Sequence, residues 1–366
     1  MRILVTGSNG FLGKNLISRI KAEDIGGILP FDLPDTTDKL EEQIRKADFI
    51  FHLAGVNRPD ERSKFYDGNS GLTGTIIGLM EANDINAPIV FSSTTQVGNG
   101  SDYAISKEMA EKTLLEYHER TGAEVFIYRF PGVFGKWSRP NYNTVVATFC
   151  HNIARGLPIE IRDADYELSL YYIDDVVDLL LGTLHERKML AIEPIYHVTL
   201  GRLAYMINSF APDDKKLEIG DISDAFTKKL YATYLSFLPD DKVTYSLTTH
   251  KDNRGSFTEF LHLSKHGQVS VNVSKPSVTK GDHWHDTKHE KFLVVSGRGV
   301  IRQRQLFTTE ILEYRVSGDK PEVVDIRPGY THHIENSGDT DLVTVMWASE
   351  IFDKTKPDTY YEKVET

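Results

Sequence analysis

The pattern of hydrophobic and polar positions changes character about two-thirds of the way along this chain. Over the first 130 residues, short apolar runs alternate with amphipathic stretches. Arg2–Val5, Gly27–Phe31, Phe49–Leu53, Ile89–Phe91 and Glu124–Arg129 read as strands. Between them, Phe11–Lys21, Leu40–Lys46, Gly74–Ala82 and Tyr103–Glu119 have helical spacing. Such alternation predicts a Rossmann-like, doubly wound parallel sheet with helices on both faces. From 136 to 240 the pattern is more irregular and keeps two helix candidates, Val145–Arg155 and Asp174–His185. From Tyr245 onward the texture is all-β. SVNVSKPS, KFLVVSGRGVIRQ, EVVDIRPG and LVTVMWA are short β-branched runs split by turn residues, suited to a sandwich or small barrel. The expected domains are residues 1–243 and 244–366.

Composition narrows the function classes. The chain of 366 residues is 40% hydrophobic and 26% charged, a soluble balance. A net charge of −11 argues against binding nucleic-acid backbones, though one nucleotide needs only a local site. The single cysteine, Cys150, allows no intrachain disulfide and fits a reducing cytoplasm. MRILVTGSNG reads as a strand and turn rather than a leader. No apolar run reaches the roughly 20 residues that span a bilayer, so no membrane insertion is expected.

The first chemistry lies in TGSNGFLG, directly after the first strand and at the start of a helix. Gly7, Gly10 and Gly13 let backbone approach a pyrophosphate, and the helix start offers free N–H groups. Asp32 ends the second strand, where a carboxylate accepts hydrogen bonds from an adenosine ribose and favours NADH over NADPH. Tyr103 and Lys107 stand one helical turn apart, so an ammonium there tunes a phenol for proton transfer. Ser93 or Thr94, at the end of the preceding strand, is placed to bond the same substrate oxygen.

As a set these residues resemble the extended short-chain dehydrogenase/reductases that act on nucleotide sugars, over roughly residues 1–240. The resemblance puts cofactor binding on Gly7, Asn9, Gly10, Phe11, Leu12, Gly13 and Asp32. It adds Leu53, Ala54 and Gly55 of DFIFHLAG, and Tyr103 and Lys107 themselves. FSSTTQ aligns the catalytic hydroxyl with Thr94, and RFPGVFG matches the loop near the nicotinamide. Where the family often has Arg-Asp, this chain has Leu168-Ser169, which leaves Arg162, Arg139 or Lys136 to meet the sugar nucleotide's phosphates.

The β region has its own constellation. His283 and His285 fall on one side of a strand, and Glu290 follows after a turn. Two imidazoles and a carboxylate bind a borderline divalent metal, with His332 or His333 as the fourth ligand. The pattern resembles the cupin family at His283, His285, Glu290 and Gly297, then at Gly329, His332 and Asn336. That resemblance implies a jelly-roll fold and favours His332, with zinc as the expected ion and His289 as a bystander or outer partner. DNRGSFTEF and VNVSKPSVTKGDHWH further resemble the deoxysugar 3,5-epimerase branch of cupins. That match places the catalytic base on His283 and a cationic partner on Lys280, in competition with His283 as a ligand.

The pairing of the two halves resembles bifunctional enzymes of capsular polysaccharide synthesis. It implies epimerisation of UDP-2-acetamido-2,6-dideoxy-hexos-4-ulose at carbon 3, then reduction of the 4-ketone by NADPH, in a homodimer. The product would be UDP-2-acetamido-2,6-dideoxy-L-talose, on the way to UDP-N-acetyl-L-fucosamine. Lys14 and Arg58 are the cations available to an NADPH 2′-phosphate, against the NADH preference read from Asp32.

Overall fold

The computed structural model describes residues 1–211 and 217–365. Two compact units divide them. The first holds residues up to Ala211 and Ala225–Pro239. Its sheet is parallel, with order β2-β1-β3-β4-β5. The strands are β1 (Arg2–Thr6), β2 (Gly27–Phe31), β3 (Phe49–His52), β4 (Ile89–Thr94) and β5 (Val125–Phe130). Helices α1 (Phe11–Ala22), α2 (Thr37–Lys46), α3 (Ser63–Tyr66), α4 (Leu72–Ala82) and α5 (Asp102–Thr121) connect them. One core cluster packs Leu16 and Ile20 of α1 with Val5 and Phe51, and another packs Ile76 and Leu114 with Leu4 and Phe91. The sheet is thus buried on both faces, as its continuous apolar strands predict.

The irregular stretch contains more order than its pattern implies. Beside α6 (Val145–Ala154) and α7 (Ile173–Glu186) stand α8 (Leu200–Ser209) and α9 (Ala225–Leu235). A three-stranded sheet of β6 (Gly132–Phe134), β7 (Glu167–Tyr172) and β8 (Tyr196–Thr199) accompanies them. Leu203 and Ile207 of α8 and Leu230 of α9 share a buried cluster with Phe149 and Cys150.

In the second unit two antiparallel sheets pack face to face. The unit includes β9 (Glu218–Ile219), which pairs in parallel with β11 (Gly255–Leu263). The strands that follow are β10 (Thr249–Asp252), β11 (Gly255–Leu263), β12 (Gly267–Ser274), β13 (Thr279–Trp284) and β14 (Glu290–Ser296). Then come β15 (Arg298–Gln305), β16 (Ile311–Ser317), β17 (Val323–Ile326), β18 (Tyr330–Asn336), β19 (Leu342–Ala348) and β20 (Tyr360–Tyr361). One sheet runs β10-β11-β12-β19-β14-β17, the other β16-β15-β18-β13-β20. Phe292 and Leu342 from one sheet and Ile301 and Ile334 from the other form the core between them. The division into units is discontinuous, unlike the single break expected at 243/244. Residues 217–224 join the second unit because the backbone of Leu217 accepts from His262 at 2.7 Å and Asp221 pairs with Lys265 at 2.6 Å.

Strand β12 inverts the usual rule. Gln268, Ser270, Asn272 and Ser274 are buried, while Val269, Val271 and Val273 are only partly covered. The interior here is polar, and the valines face outward beside Trp347, Val345 and Val343 of β19.

Candidate active sites

The first unit presents a cavity of about 2080 Å³ at the carboxyl ends of its parallel strands. Every residue expected to bind cofactor lies on its wall: Gly7, Asn9, Gly10, Phe11, Leu12, Gly13, Asp32, Leu53, Ala54, Gly55, Tyr103 and Lys107. Backbone proximity explains two of the glycines. A Cβ on Gly7, whose φ is +69°, would stand 2.7 Å from the Ala54 nitrogen. One on Gly13 would stand 2.2 Å from the Gly7 carbonyl, so α1 can start this close to the loop only with glycine there. The Asp32 carboxylate accepts from the backbone N–H of Asn9 at 2.6 Å and of Leu33 at 2.9 Å. It therefore braces the glycine loop, and both of its oxygens already carry a donor.

Ser101 caps α5, accepting from Ala104 N at 3.2 Å, and this sets Tyr103 on the first turn and Lys107 on the next. Tyr103 pairs with the hydroxyl of Thr94; burial pushes its pKa up and Thr94 opposes the shift. The neighbouring Ser93 turns away and donates to the buried carboxylate of Glu111. Both Ser93 and Thr94 line the cavity, but the Ser93 hydroxyl is engaged by Glu111 while Thr94 faces Tyr103. Arg129 forks onto both oxygens of Glu111. The Lys107 amine donates to the Ser92 carbonyl at 2.9 Å and sits over the Phe91 ring. Burial pushes its pKa down to about 8, against the pull of Glu111.

Asn69 is a site residue that spacing does not reveal. It is buried in a π-helical turn, Asp67–Gly71, and its amide bonds Val56 N, Val56 O and Ser106 Oγ. That holds the chain after β3 against α5, beside Gly55, where a Cβ would meet the Lys107 amine at 3.1 Å. Among the phosphate-contact candidates, Arg139 lies on the cavity wall over the Tyr142 ring. Lys136 pairs with Asp174, and the exposed Arg162 pairs with Glu160.

The second unit brings His283, His285, Glu290 and His332 together, with one ligand atom of each within 4.8 Å of the others. His333 points to the other face of β18, with its Nδ1 3.0 Å from Asp282 and its ring beside Arg302. His289 is exposed against the Trp347 ring. Gly297 and Gly329 shape turns at φ +83° and +74°, and Asn336 ties Ser274 O and Thr340 O rather than joining the cluster. A bulge places Lys280 on the same inner face as His283. Gly281 pairs with His333 and His283 with His332, which leaves Asp282 as the extra residue. The Lys280 amine donates to Asn272 Oδ1 at 2.8 Å and Val273 O at 2.9 Å, and burial lowers its pKa.

The donor set fits a divalent metal. His285 Nε2, His332 Nε2 and Glu290 Oε2 are buried without hydrogen-bond partners. The two nitrogens stand 3.5 and 3.4 Å from the same Glu290 oxygen. Charge-assisted hydrogen bonds run to about 2.7–2.9 Å. Ligands about 2.0–2.1 Å from a tetrahedral ion lie about 3.4 Å apart. Burial pushes the Glu290 carboxyl up, yet the two imidazoles outweigh it and hold the group well below the usual carboxylate range. His283 is the more open member, and burial, then His332, push it down to about 4.

Comparison with known proteins follows this division. The model of the NAD dependent epimerase/dehydratase family matches residues 3–198. The chain belongs to that family. The polysaccharide biosynthesis C-terminal domain matches residues 250–360. A UDP-2-acetamido-2,6-beta-L-arabino-hexul-4-ose reductase of Pseudomonas aeruginosa is 42% identical over 98% of each chain. The crystal structure of the capsular polysaccharide assembling protein CapF from Staphylococcus aureus superposes with a TM-score of 0.93 at 44% identity, covering 99% of this chain and 100% of that one. A UDP-glucuronic acid 4-epimerase from Bacillus cereus, 17% identical with a TM-score of 0.56, shares the fold over 65% of this chain and 96% of its own. Among the described residues, no helix is long and apolar enough to cross a membrane.

The buried Lys107 gives a pH prediction. Its folded-state pKa is depressed, so the ammonium beside the Tyr103 site is lost as pH rises through about 8. Keto-sugar reduction should fall across that range, and initial rates from pH 6.5 to 9.5 check it.

Proposed function

We propose that this chain is a bifunctional nucleotide-sugar enzyme of capsular polysaccharide synthesis. The second domain epimerises UDP-2-acetamido-2,6-dideoxy-hexos-4-ulose at carbon 3. The first reduces the 4-ketone to give UDP-2-acetamido-2,6-dideoxy-L-talose, a precursor of UDP-N-acetyl-L-fucosamine. The observation that carries the reading is the coexistence in one chain of two sites of different chemistry. One is a Thr94–Tyr103 pair above a glycine loop, the other a buried His/Glu cluster with Lys280 on the same face. Near-full-length likeness to the Pseudomonas reductase and to CapF supports it.

In the first domain, Thr94 and Tyr103 hold the carbonyl oxygen, and Tyr103 delivers the proton as that oxygen becomes an alkoxide. Lys107 supplies positive charge one helical turn from the phenol, and Glu111, anchored by Arg129, raises its pKa against the effect of burial. A bound reduced nicotinamide supplies the hydride. NADPH is the proposed cofactor. Asp32 has both oxygens engaged by backbone donors, and Arg58 and Lys14 line the same cavity with charge to meet a 2′-phosphate. NADH is the alternative, and the ratio of kcat/KM for the two cofactors decides between them.

In the second domain, the 4-ketone acidifies the proton at carbon 3, and a base removes it while positive charge gathers at the carbonyl oxygen. His283, His285, Glu290 and His332 are the residues that would hold zinc, and such an ion would supply positive charge to that oxygen. Inhibition of a CapF by 3-isopropenyl-tropolone fits this reading, because the vicinal oxygens of a tropolone chelate divalent cations. Lys280, three residues from His283 on the inner face, adds a second cation. His283 is also the member with solvent access, which favours a second reading in which it is the base and the other three hold the ion. A His283→Ala variant separates the two: lost zinc makes it a ligand, retained zinc with lost exchange makes it the base.

The outward valine face of β12 and β19 supports a homodimer. Val271→Lys should shift the mass in solution from dimer to monomer by light scattering; an unchanged mass removes this face from the interface. For the chemistry itself, Tyr103→Phe should slow NADPH oxidation by about 10²–10⁴-fold. The same variant should still wash deuterium into carbon 3 of the keto sugar in heavy water. Absence of that exchange would sink the epimerase assignment.

A further inference from the structure

The metal-binding cluster is finished by a segment distant in sequence. Strand β20 pairs with β13 beside the cluster, Tyr361 opposite His283 and Tyr360 opposite Trp284. Just before it stands Asp358, with φ +37°, left-handed backbone that aspartate adopts more readily than most residues. Its main-chain carbonyl lies 2.6 Å from His285 Nδ1 and accepts that N–H. This bond sets the tautomer, because a ring that donates from Nδ1 leaves Nε2 bare, and Nε2 is the atom facing Glu290.

The Asp358 side chain does a second job. Its carboxylate accepts the backbone N–H of Asp286 at 2.8 Å, Thr287 at 3.0 Å and Lys288 at 2.8 Å, and the Thr287 hydroxyl at 3.2 Å. Burial alone would raise this carboxyl, but those three backbone donors hold it well below the usual range. Residues 286–289 are the turn that joins His285 to Glu290, so one residue orients one ligand and fixes the path to the next. The buried Lys288 returns the contact, donating to Pro357 O at 3.1 Å and Thr359 Oγ1 at 2.8 Å. Farther along, Arg304 holds the carbonyls of Val364 at 2.8 Å and Lys363 at 2.8 Å.

We infer that Asp358 is the positioning residue of the metal centre, a clasp that sets the His285 ring by its carbonyl and the His285-to-Glu290 turn by its carboxylate. The inference rests on the proposed reading that the cluster holds a divalent ion. It makes metal retention depend on a contact more than seventy residues away in sequence.

The test uses the full chain loaded with zinc, and separately with cobalt(II). Wild type should hold close to one ion per chain; failure to do so would overturn the metal reading itself. Given a loaded wild type, Asp358→Ala should weaken zinc retention against a chromophoric chelator by about 10–100-fold and change the cobalt absorption bands. Asp358→Asn, which exchanges one accepting oxygen for an amide NH₂, should move both in the same direction by less, and serves if the alanine variant does not fold. Arg304→Met loosens the same segment away from the metal and should lower thermal stability with unchanged cobalt bands. Wild-type zinc affinity and cobalt bands in the Asp358 variants would overturn the clasp. So would a loss in Arg304→Met equal to that in Asp358→Ala, since the segment would then act through general stability.

Discussion

A buried carboxylate facing two bare imidazole nitrogens is an arrangement that the protein alone does not neutralise. Glu290 Oε2, His285 Nε2 and His332 Nε2 converge at 3.4–3.5 Å with no donor between them. Burying charge without a partner costs several kcal/mol, on the order of a large share of a domain's stability. The second domain carries further polar groups in its interior. Its β12 strand turns Gln268, Ser270 and Asn272 inward, a bulge at Asp282 brings Lys280 and His283 to one face, and Asp358 locks the tautomer of His285. On the proposed reading, such an interior suits a small cation and a polar sugar.

The first domain solves a different problem by similar means. On the proposed reading, a proton donor must be held near positive charge at the carboxyl edge of the sheet. Tyr103 pairs with Thr94, Lys107 is buried one helical turn on against Ser92 O and the Phe91 ring, and Glu111, anchored by Arg129, opposes the loss of its charge. In the proposed function the chemistry of the two sites is complementary. Enolisation beside a 4-ketone is reversible, whereas reduction of that ketone removes the group that makes carbon 3 acidic. Fusion of the two proposed steps would then drain the epimer mixture toward one product.

Much of this was legible in order along the chain, wherever the signal is local. The glycine loop, Tyr103 with Lys107, and His283 with His285 announce themselves because helix and strand periods put nearby residues on one face. Helices α8 and α9 were less visible, since short elements between irregular strands give little periodicity. β12 misleads the simple rule that valines face the core, because its other face lines a polar interior. Asn69, Glu111 and Asp358 lay beyond spacing altogether. Their partners are Val56 and Ser106, Ser93 and Arg129, and His285, joined by the fold rather than by sequence proximity.

The proposed function requires one chain both to invert carbon 3 and to reduce carbon 4. The direct measurement is NMR of the product made by the wild-type enzyme from the 4-keto UDP-sugar and NADPH in heavy water. The expected result is the L-talo product carrying deuterium at carbon 3 and an alcohol at carbon 4. A 4-alcohol that keeps protium and the original configuration at carbon 3 would contradict it.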